Sequence, residues 1–184
     1  SAFAGCYNLE RIYIPESVKT IENGAFDGCD SIIEIIVDNA NKSYYSEHNC
    51  LISKKDKAII FGNEHSEIHA NDRVNKIGDY AFAGCYDERA LIIPEGIVEI
   101  GEGAFCGCDY ISTLELPSTL VKIGDRAFED CRAIKSVCIS EGLKYIGKCA
   151  FMEWVEIETL TLPESLLSIG YRAFYGCDGI CEVD

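Results

Sequence analysis

Apolar residues return at one fixed interval along most of the chain. The clearest marker is an Ala-Phe pair, which occurs at residues 2–3, 25–26, 81–82, 104–105, 127–128, 150–151 and 173–174. The steps between successive pairs are 23, 56, 23, 23, 23 and 23 residues, and 56 equals one interval of 23 plus 33 additional residues. A fixed interval of this length is typical of a solenoid, in which each repeat forms one turn and buries its apolar side chains against neighbouring turns.

Within one interval, the spacing of the apolar residues predicts a short strand. Ile12 and Ile14 are two residues apart, so their side chains share one face of this strand. Pro15 has no backbone N–H to donate and therefore ends the strand. The same frame returns in later intervals, for example at residues 114–117. One such strand per turn predicts a parallel sheet along one side of the solenoid, with equivalent residues about 4.8 Å apart.

Residues 38–70 interrupt this regular interval. Their first part, DNANKSYYSEHN, is polar and contains Asn41-Lys42-Ser43, an acceptor sequence for N-glycosylation. Two apolar runs, at 50–53 and 58–61, then flank a polar turn of four residues, which predicts a β-hairpin. Two roles are open for this hairpin: a surface decoration, or a recognition loop at the edge of the sheet.

The complete frame of one interval reads C-x-x-L-x-x-I-x-I-P-x-x-L-x-x-I-G-x-x-A-F. It resembles the BspA-like (Treponema-type) leucine-rich repeats of 23 residues, and the resemblance covers essentially the whole chain. The resemblance implies an α/β solenoid: a right-handed superhelix with a parallel sheet on its concave face. Residues 1–184 would then form a single leucine-rich-repeat solenoid, in which 38–70 is an irregular repeat with an inserted β-hairpin. Because the chain opens in the middle of a motif, we expect it to be a fragment of a longer protein.

Cysteine recurs at one position of the frame, three residues after the repeat phenylalanine. The six residues of this cysteine ladder are Cys6, Cys29, Cys85, Cys108, Cys131 and Cys177. We interpret this cysteine as a small apolar residue that stacks in the core. Side chains that run parallel about 4.8 Å apart do not suit a disulfide, so the sequence predicts free thiols. The remaining cysteines lie off the ladder, at positions 50, 106, 138, 149 and 181, and the total of 11 is odd.

The charge balance excludes two classes of partner. The chain carries 31 acidic and 16 basic residues, a net charge of −15, whereas nucleic-acid recognition needs a basic surface. Anionic lipid is disfavoured for the same reason, and no apolar run approaches the roughly 20 residues of a membrane span.

Acidic residues recur just after the end of the predicted strand, in the row Glu16, Asn39, Asp72, Glu95, Ser118, Glu141 and Glu164. This row is either a solvated edge or a site for cations or a basic partner.

Candidate chemistry is sparse. The sequence contains no nucleophile elbow and no P-loop, so we predict no enzymatic activity, no catalytic residues and no cofactor. All three histidines lie in or beside the irregular segment, and His48, Cys50, His65 and His69 have a spacing found in zinc sites. Our prediction is nevertheless that no metal binds: His48 and His65 are solvated loop residues, His69 points outward from a strand and Cys50 faces the core. A zinc site is the alternative.

The outward positions of the predicted strands form the candidate binding face. These positions hold Arg11, Tyr13, Glu34, Ile36, His69, Ile92, Glu115, Cys138 and Thr161. The aromatic and aliphatic members lie in the N-terminal half, which favours a contact patch around Tyr13, Ile36 and Ile92. Strand propensity alone would also select these residue types.

Two functions are compatible with this sequence. The first is a non-catalytic module of a cell-surface protein that binds a protein or glycan through the concave face. The second is a structural spacer that displays another domain. Free thiols and the resemblance favour an extracellular location on an anaerobic bacterium or a protist, with the cytoplasm as the alternative. Apolar residues in the end turns, such as Phe3, Leu9, Ile12, Ile180 and Val183, predict fraying or end-to-end self-association.

Overall fold

The computed structural model describes residues 2–85 and 90–180 as a β-solenoid. Its strands are β1 (Arg11–Ile14), β2 (Glu34–Val37), β3 (Tyr44–Glu47), β4 (Cys50–Ser53), β5 (Ala58–Phe61), β6 (Lys76–Ile77), β7 (Leu91–Ile92), β8 (Glu99–Ile100), β9 (Leu114–Glu115), β10 (Lys122–Ile123), β11 (Ser136–Cys138), β12 (Tyr145–Ile146), β13 (Thr159–Thr161) and β14 (Ser168–Ile169). The predicted solenoid of 23-residue turns, with parallel strands and an inserted hairpin, is confirmed. The right hand of the superhelix and its concave curvature remain predictions.

Each regular turn contributes two strands, whereas the sequence predicted one. The first strand row contains the predicted strands apart from the one expected around His69, where no strand forms. β1 pairs with β2, and β7, β9, β11 and β13 form a second parallel group. The second strand row contains β5, β6, β8, β10, β12 and β14. The second strand row forms because the stacking also brings together the peptide groups that follow the first strand of each turn. Gly124 N, for example, donates to Ile100 O of the preceding turn at 2.8 Å.

The glycine that follows each strand of the second row is required by this close stacking. A Cβ on Gly124 would lie 2.6 Å from the carbonyl carbon of Gly101 in the preceding turn. Gly147 has the same relation to Gly124, at 2.4 Å. Any larger residue here would push successive turns apart, which accounts for the Ile-Gly step in the frame.

The Ala-Phe segment returns the chain through tight turns, and the described residues contain no helix. This corrects the α part of the α/β expectation. The cause is a pair of left-handed residues that flank each Ala-Phe step, such as Arg126 (φ 56°) and Asp130 (φ 61°). A residue with positive φ interrupts a right-handed helix, and two residues four positions apart leave room only for turns. No segment of the described chain is a helix with the length and hydrophobicity needed to cross a membrane.

The core is a continuous stack of equivalent side chains. Phe128 is fully buried between Phe105 and Phe151, with ring centroids 5.3 and 5.7 Å away and rings nearly parallel. Each fully buried side chain of this size contributes roughly 1.5–3 kcal/mol. Because every turn buries its rings against the turns on both sides, the turns depend on one another for stability.

The irregular segment is built into the solenoid. The predicted hairpin of β4 and β5 is present, and β3, which the sequence did not predict, pairs antiparallel with β4. β5 runs parallel to β6, so the hairpin extends the second strand row. Cys50, Leu51 and Ile52 are buried. The hairpin is therefore not a surface decoration.

Gly62 takes the place of a repeat phenylalanine. Its N–H donates to Ala81 O at 2.8 Å, as Phe82 N donates to Ala104 O in the next turn. A Cβ on Gly62 would lie 2.3 Å from the ring of Phe82, so a side chain is excluded there. The step of 56 residues therefore holds two turns with extra residues, and not one turn with an insertion of 33.

Asn41 connects the irregular segment to the first turn. Its Nδ2 donates to Pro15 O at 2.8 Å and to Val18 O at 3.2 Å, and its Oδ1 accepts from Ser43 N and Tyr44 N at 2.8 Å. The side chain is fully buried. The glycosylation sequence at Asn41 is therefore inaccessible in the folded protein.

Candidate functional site

The predicted binding face is solvent-exposed along its whole length. Tyr13, Ile36 and Ile92 expose 55%, 43% and 57% of their surface, whereas Ile12, Ile14 and Ile35 in β1 and β2 are buried. The other predicted positions are also exposed, namely Arg11, Glu34, His69, Glu115, Cys138 and Thr161. The alternation of buried and exposed residues in β1 and β11 follows the two faces of a strand.

The N-terminal part of this face carries specific polar contacts. The Tyr13 hydroxyl donates to Asp38 Oδ2 at 2.5 Å, which fixes the ring against the end of β2. This bond raises the pKa of Tyr13 and lowers the pKa of the Asp38 carboxyl. Arg11 Nε lies 3.2 Å from Glu34 Oε2, an exposed pair that contributes little to stability.

The predicted patch around Tyr13, Ile36 and Ile92 is not continuous. β1 and β2 form one sheet, and β7 begins another, so Ile92 is separated from the first two residues. The tip of the β3–β4 hairpin lies in the gap. Asn49 in this tip accepts from Ile35 N at 3.1 Å, and His48 O accepts from Glu67 N at 3.0 Å.

The gap holds three exposed side chains with metal-binding atoms, which form the His48–Glu67–His69 cluster. The imidazole rings of His48 and His69 stack with centroids 3.9 Å apart. Glu67 Oε2 lies 3.1 Å from His69 Nε2 and 3.9 Å from His48 Nδ1. The cluster is therefore a compact group of two nitrogen donors and one carboxylate.

Of the four candidate zinc ligands, His48 and His69 meet, whereas Cys50 and His65 do not join them. His65 lies beside Glu64, with 3.6 Å between Nε2 and Oε1, because its backbone belongs to a turn that the Asn63 side chain closes. Cys50 is buried on β4, and its thiol donates to Glu67 O at 3.5 Å. Burial raises the pKa of Cys50 to about 12, so the thiol stays protonated. The sequence missed Glu67, since an acid gives no signal among 31 acids.

The cysteine ladder has a hydrogen-bonding role that the sequence did not reveal. Cys108 and Cys131 are fully buried, and each thiol donates to the carbonyl of the repeat phenylalanine in the preceding turn, at 3.3 and 3.2 Å. Cys29 and Cys177 make the same contact at 3.2 Å. Cys29 is fully buried, Cys85 and Cys177 are half-buried, and Cys6 in the first turn is exposed. The ten cysteines within the described residues are all free thiols, and Cys181 lies outside them.

Trp154 identifies what this position requires. It replaces cysteine in one turn, and its Nε1–H donates to Phe128 O at 2.7 Å. Cysteine and tryptophan differ greatly in size, but both supply a donor. The phenylalanine carbonyl also accepts from the backbone N–H three residues later, as Phe128 O does from Cys131 N at 3.4 Å, so the side-chain donor adds a second hydrogen bond. A hydrogen bond contributes about 0.5–1.5 kcal/mol, which alanine would lose at this position.

The acidic row makes contacts between turns. The Glu95 carboxylate accepts from Ser118 N at 2.8 Å, Ser118 Oγ at 3.1 Å and Thr119 N at 3.3 Å. These bonds lower the pKa of Glu95. Glu141 binds the amides of Glu164 and Ser165 in the same way. The carboxylates of Glu95 and Glu141 are therefore engaged by the following turn, and a cation site along the rest of the row stays a prediction.

The end turns expose part of the apolar surface that interior turns bury. Phe3 is exposed and Leu9 is half-buried, whereas Ile12 is buried. Ile169 exposes 47% of its surface, and its equivalent Ile146 exposes 2%. Ile180 is half-buried, and Val183 lies outside the described residues. Self-association through these ends remains a prediction.

Solved proteins with the same fold come from several bacteria. A leucine rich cell surface protein of Faecalibacterium prausnitzii A2-165 has 26% identity and a TM-score of 0.78 over 96% of this chain and 48% of that one. A T. pallidum leucine rich repeat protein has 30% identity and a TM-score of 0.58 over 60% of this chain and 51% of its own. The pneumococcal vaccine antigen PcpA has 22% identity and a TM-score of 0.75 over 95% of this chain and 44% of its own. At this identity the similarity shows the fold alone. The chain spans about half the length of these proteins.

The family assignment rests on the repeat itself. None of the curated proteins matches the chain. The BspA type leucine rich repeat region matches six times, over residues 1–55 and 60–181. This agrees with the 23-residue frame and with the parallel strand registers of the fold. The chain belongs to the BspA type leucine rich repeat family.

Proposed function

We propose that this chain is a non-catalytic binding module of a cell-surface protein and that it recognises a protein or glycan through the outward face of the first strand row. The observation that carries the proposal is the exposure of Tyr13 and Ile36 side by side on β1 and β2, where they pair in register. Exposed aromatic and aliphatic residues on a rigid sheet are typical of binding surfaces. The fold and family are those of binding scaffolds, which supports a role without catalysis.

The surface location is supported by the F. prausnitzii relative, a leucine rich cell surface protein. Free thiols along the core are compatible with a reducing or anaerobic habitat. The source organism would then be an anaerobic bacterium or a protist. A cytoplasmic location is the alternative.

A spacer is the second candidate function. Its support is the C-terminal half of the same face, where Cys138 and Thr161 are small and offer little contact area. A spacer would have no partner on either half of the face, whereas a binding module would depend on β1 and β2.

The test is a binding screen of the reduced chain against a glycan array and a panel of extracellular-matrix proteins. Tyr13→Ser with Ile36→Ser should weaken any interaction found by at least about tenfold, the effect of losing a binding hot spot. Tyr145→Ser, an equally exposed tyrosine on the second strand row, is the matched control and should keep full affinity. Equal affinity of both variants would place the contact elsewhere, and no interaction in either panel would favour the spacer.

A further inference from the structure

The His48–Glu67–His69 cluster is fixed by backbone contacts. His48 and Asn49 form the two-residue turn between β3 and β4, with φ of 50° and 55°. Two consecutive left-handed residues are characteristic of the tight type I′ hairpin turn. Asn49 ties this turn to β2 through Ile35 N and Ile32 O, at 3.1 and 3.2 Å. The position of the His48 ring at the gap therefore follows from the backbone.

The second side of the cluster is equally well placed. Glu67 N donates to His48 O at 3.0 Å, which joins the segment carrying Glu67 and His69 to the hairpin tip. Glu67 and His69 are two residues apart, and their side chains meet on one side of the chain, with 3.1 Å between Oε2 and Nε2. Residues almost 20 positions apart in sequence thus present their donor atoms in one place.

The distances match those that a small metal ion requires. Tetrahedral zinc, with bonds of about 2.0–2.1 Å, holds its ligand atoms about 3.4 Å apart. The distances from Glu67 Oε2 to His69 Nε2 and His48 Nδ1, 3.1 and 3.9 Å, lie on either side of this value. All three donor atoms lie within 4.8 Å of one another. Because the two imidazoles are stacked, their rings must rotate for both nitrogens to point at one ion. A cavity of about 10 Å³ lies among these residues, bounded also by Glu47 and Ile59, and is close to the room that one water needs.

The donor types indicate the class of metal. Imidazole suits Zn²⁺, Ni²⁺, Cu²⁺ and Co²⁺, whereas Ca²⁺ and Mg²⁺ prefer oxygen ligands. Glu47, the other acid at the cavity, is already engaged by Arg73 at 3.4 Å. Cys50 is buried in the core with its thiol directed at Glu67 O, so it lies outside the group of exposed donor atoms.

We propose that His48, Glu67 and His69 bind one divalent transition-metal ion with a preference for imidazole, of which Zn²⁺, Ni²⁺ and Co²⁺ are examples. The bound ion joins the hairpin tip to the following strand segment in the middle of the first strand row. Because all three residues are exposed, the remaining coordination positions face solvent. This proposal does not rest on the proposed ligand-binding function.

The experiment is a calorimetric titration of the reduced full chain with Ni²⁺ in a buffer that does not chelate metals. The wild type should bind one equivalent with a micromolar dissociation constant. His48→Asn, in which asparagine tolerates the left-handed backbone, and His69→Gln should each weaken binding by at least about tenfold. His65→Asn is the matched control, since it removes a histidine outside the cluster, and it should bind like the wild type.

A second readout separates this site from the cysteines. Co²⁺ bound to nitrogen and oxygen ligands gives d–d absorption without the intense thiolate charge-transfer band. That spectrum is expected for the wild type and should be lost in His48→Asn. Absence of Ni²⁺ binding, equal weakening in His65→Asn, or a thiolate band that persists in His48→Asn would each overturn the proposal.

Discussion

Residues 90–180 and residues 38–70 achieve the same stacking in two different ways. In residues 90–180, the same strand pairing joins residues 23 positions apart in every turn, as in the parallel registers of β8, β10, β12 and β14. In 38–70, most contacts occur once. The regular part gains stability from repetition, and the irregular part gains the freedom to hold residues that no other turn has, including all three histidines.

The two regions also differ in how they satisfy backbone groups. Regular turns use neighbouring backbone amides, thiols and the carboxylates of the acidic row. Where the strand rows are interrupted, asparagine side chains take over: Asn41 binds Pro15 and Val18, and Asn63 binds Ile32 O at 2.8 Å. An amide side chain carries both donor and acceptor, so it can replace a missing strand edge.

The largest expected difference between the regions is in aromatic packing. Phe128→Ala should lower the free energy of unfolding by about 3–5 kcal/mol, because the ring is fully buried between two others. Phe61→Ala should cost about 2 kcal/mol, because Phe61 is half-buried and stacks at a tilt of 47° on one ring, that of Phe26. Urea unfolding followed by circular dichroism measures both. Equal losses would show that the irregular segment is packed as tightly as the regular turns.

A smaller difference is expected at the thiols. Cys131→Ser keeps a donor for Phe105 O and should be more stable than Cys131→Ala by about 1 kcal/mol. At Cys50, whose contact with Glu67 O is longer at 3.5 Å, serine and alanine should differ by less than about 0.5 kcal/mol. The free energy of unfolding of the four variants tests this. If Cys131→Ala is the more stable of its pair, the ladder cysteine acts only by packing.

The smallest expected difference concerns pH. Amide donation lowers the pKa of Glu95, so its contribution to stability is present above its unfolded value of 4.5 and disappears as the pH falls through the lower folded value. Partial burial, with Glu64 nearby, raises the pKa of Asp30 above 3.8, so ionised Asp30 disfavours the folded state at neutral pH. Glu95→Gln should therefore destabilise the protein at pH 7, and Asp30→Asn should stabilise it.

Thermal unfolding between pH 3 and pH 7 follows both variants. Each difference from the wild type should shrink as the pH approaches 3, since both carboxyls are then increasingly protonated in the folded and unfolded states. A difference for Glu95→Gln that is the same at pH 3 and pH 7 would mean that the amide contacts do not depend on charge.

The sequence predicted the regular part well because repetition multiplies a small signal. A single Ile-x-Ile-Pro stretch proves little, but its return every 23 residues determines strand position, face and register together. The second strand row was missed because its strands are two residues long, and Lys122–Ile123 looks like part of a turn. β3 was missed because Tyr44–Glu47 lacks a clear alternation of apolar and polar residues.

The candidate site was predicted only in part, for a different physical reason. His48 and His69 were recognised from their residue type, and the exposed positions of the first strand row followed from the period of two. Which donors meet depends on a turn of two left-handed residues and on the backbone bond between Glu67 and His48, and neither has a periodic signal. For the same reason the sequence grouped Cys50 and His65 with residues that they do not join.

The tryptophan in the cysteine ladder gives the protein a single built-in optical probe. Trp154 is the only tryptophan in the chain, and its fully buried indole lies against Phe151 at 4.9 Å with its N–H bonded to a carbonyl. Its emission therefore reports the opening of the turns around 128–157 and is silent to events at the hairpin tip. Of the ten tyrosines, only Tyr44 and Tyr45 lie in the irregular segment, so the emission of Trp154, and not that of tyrosine, is the signal that belongs to one region.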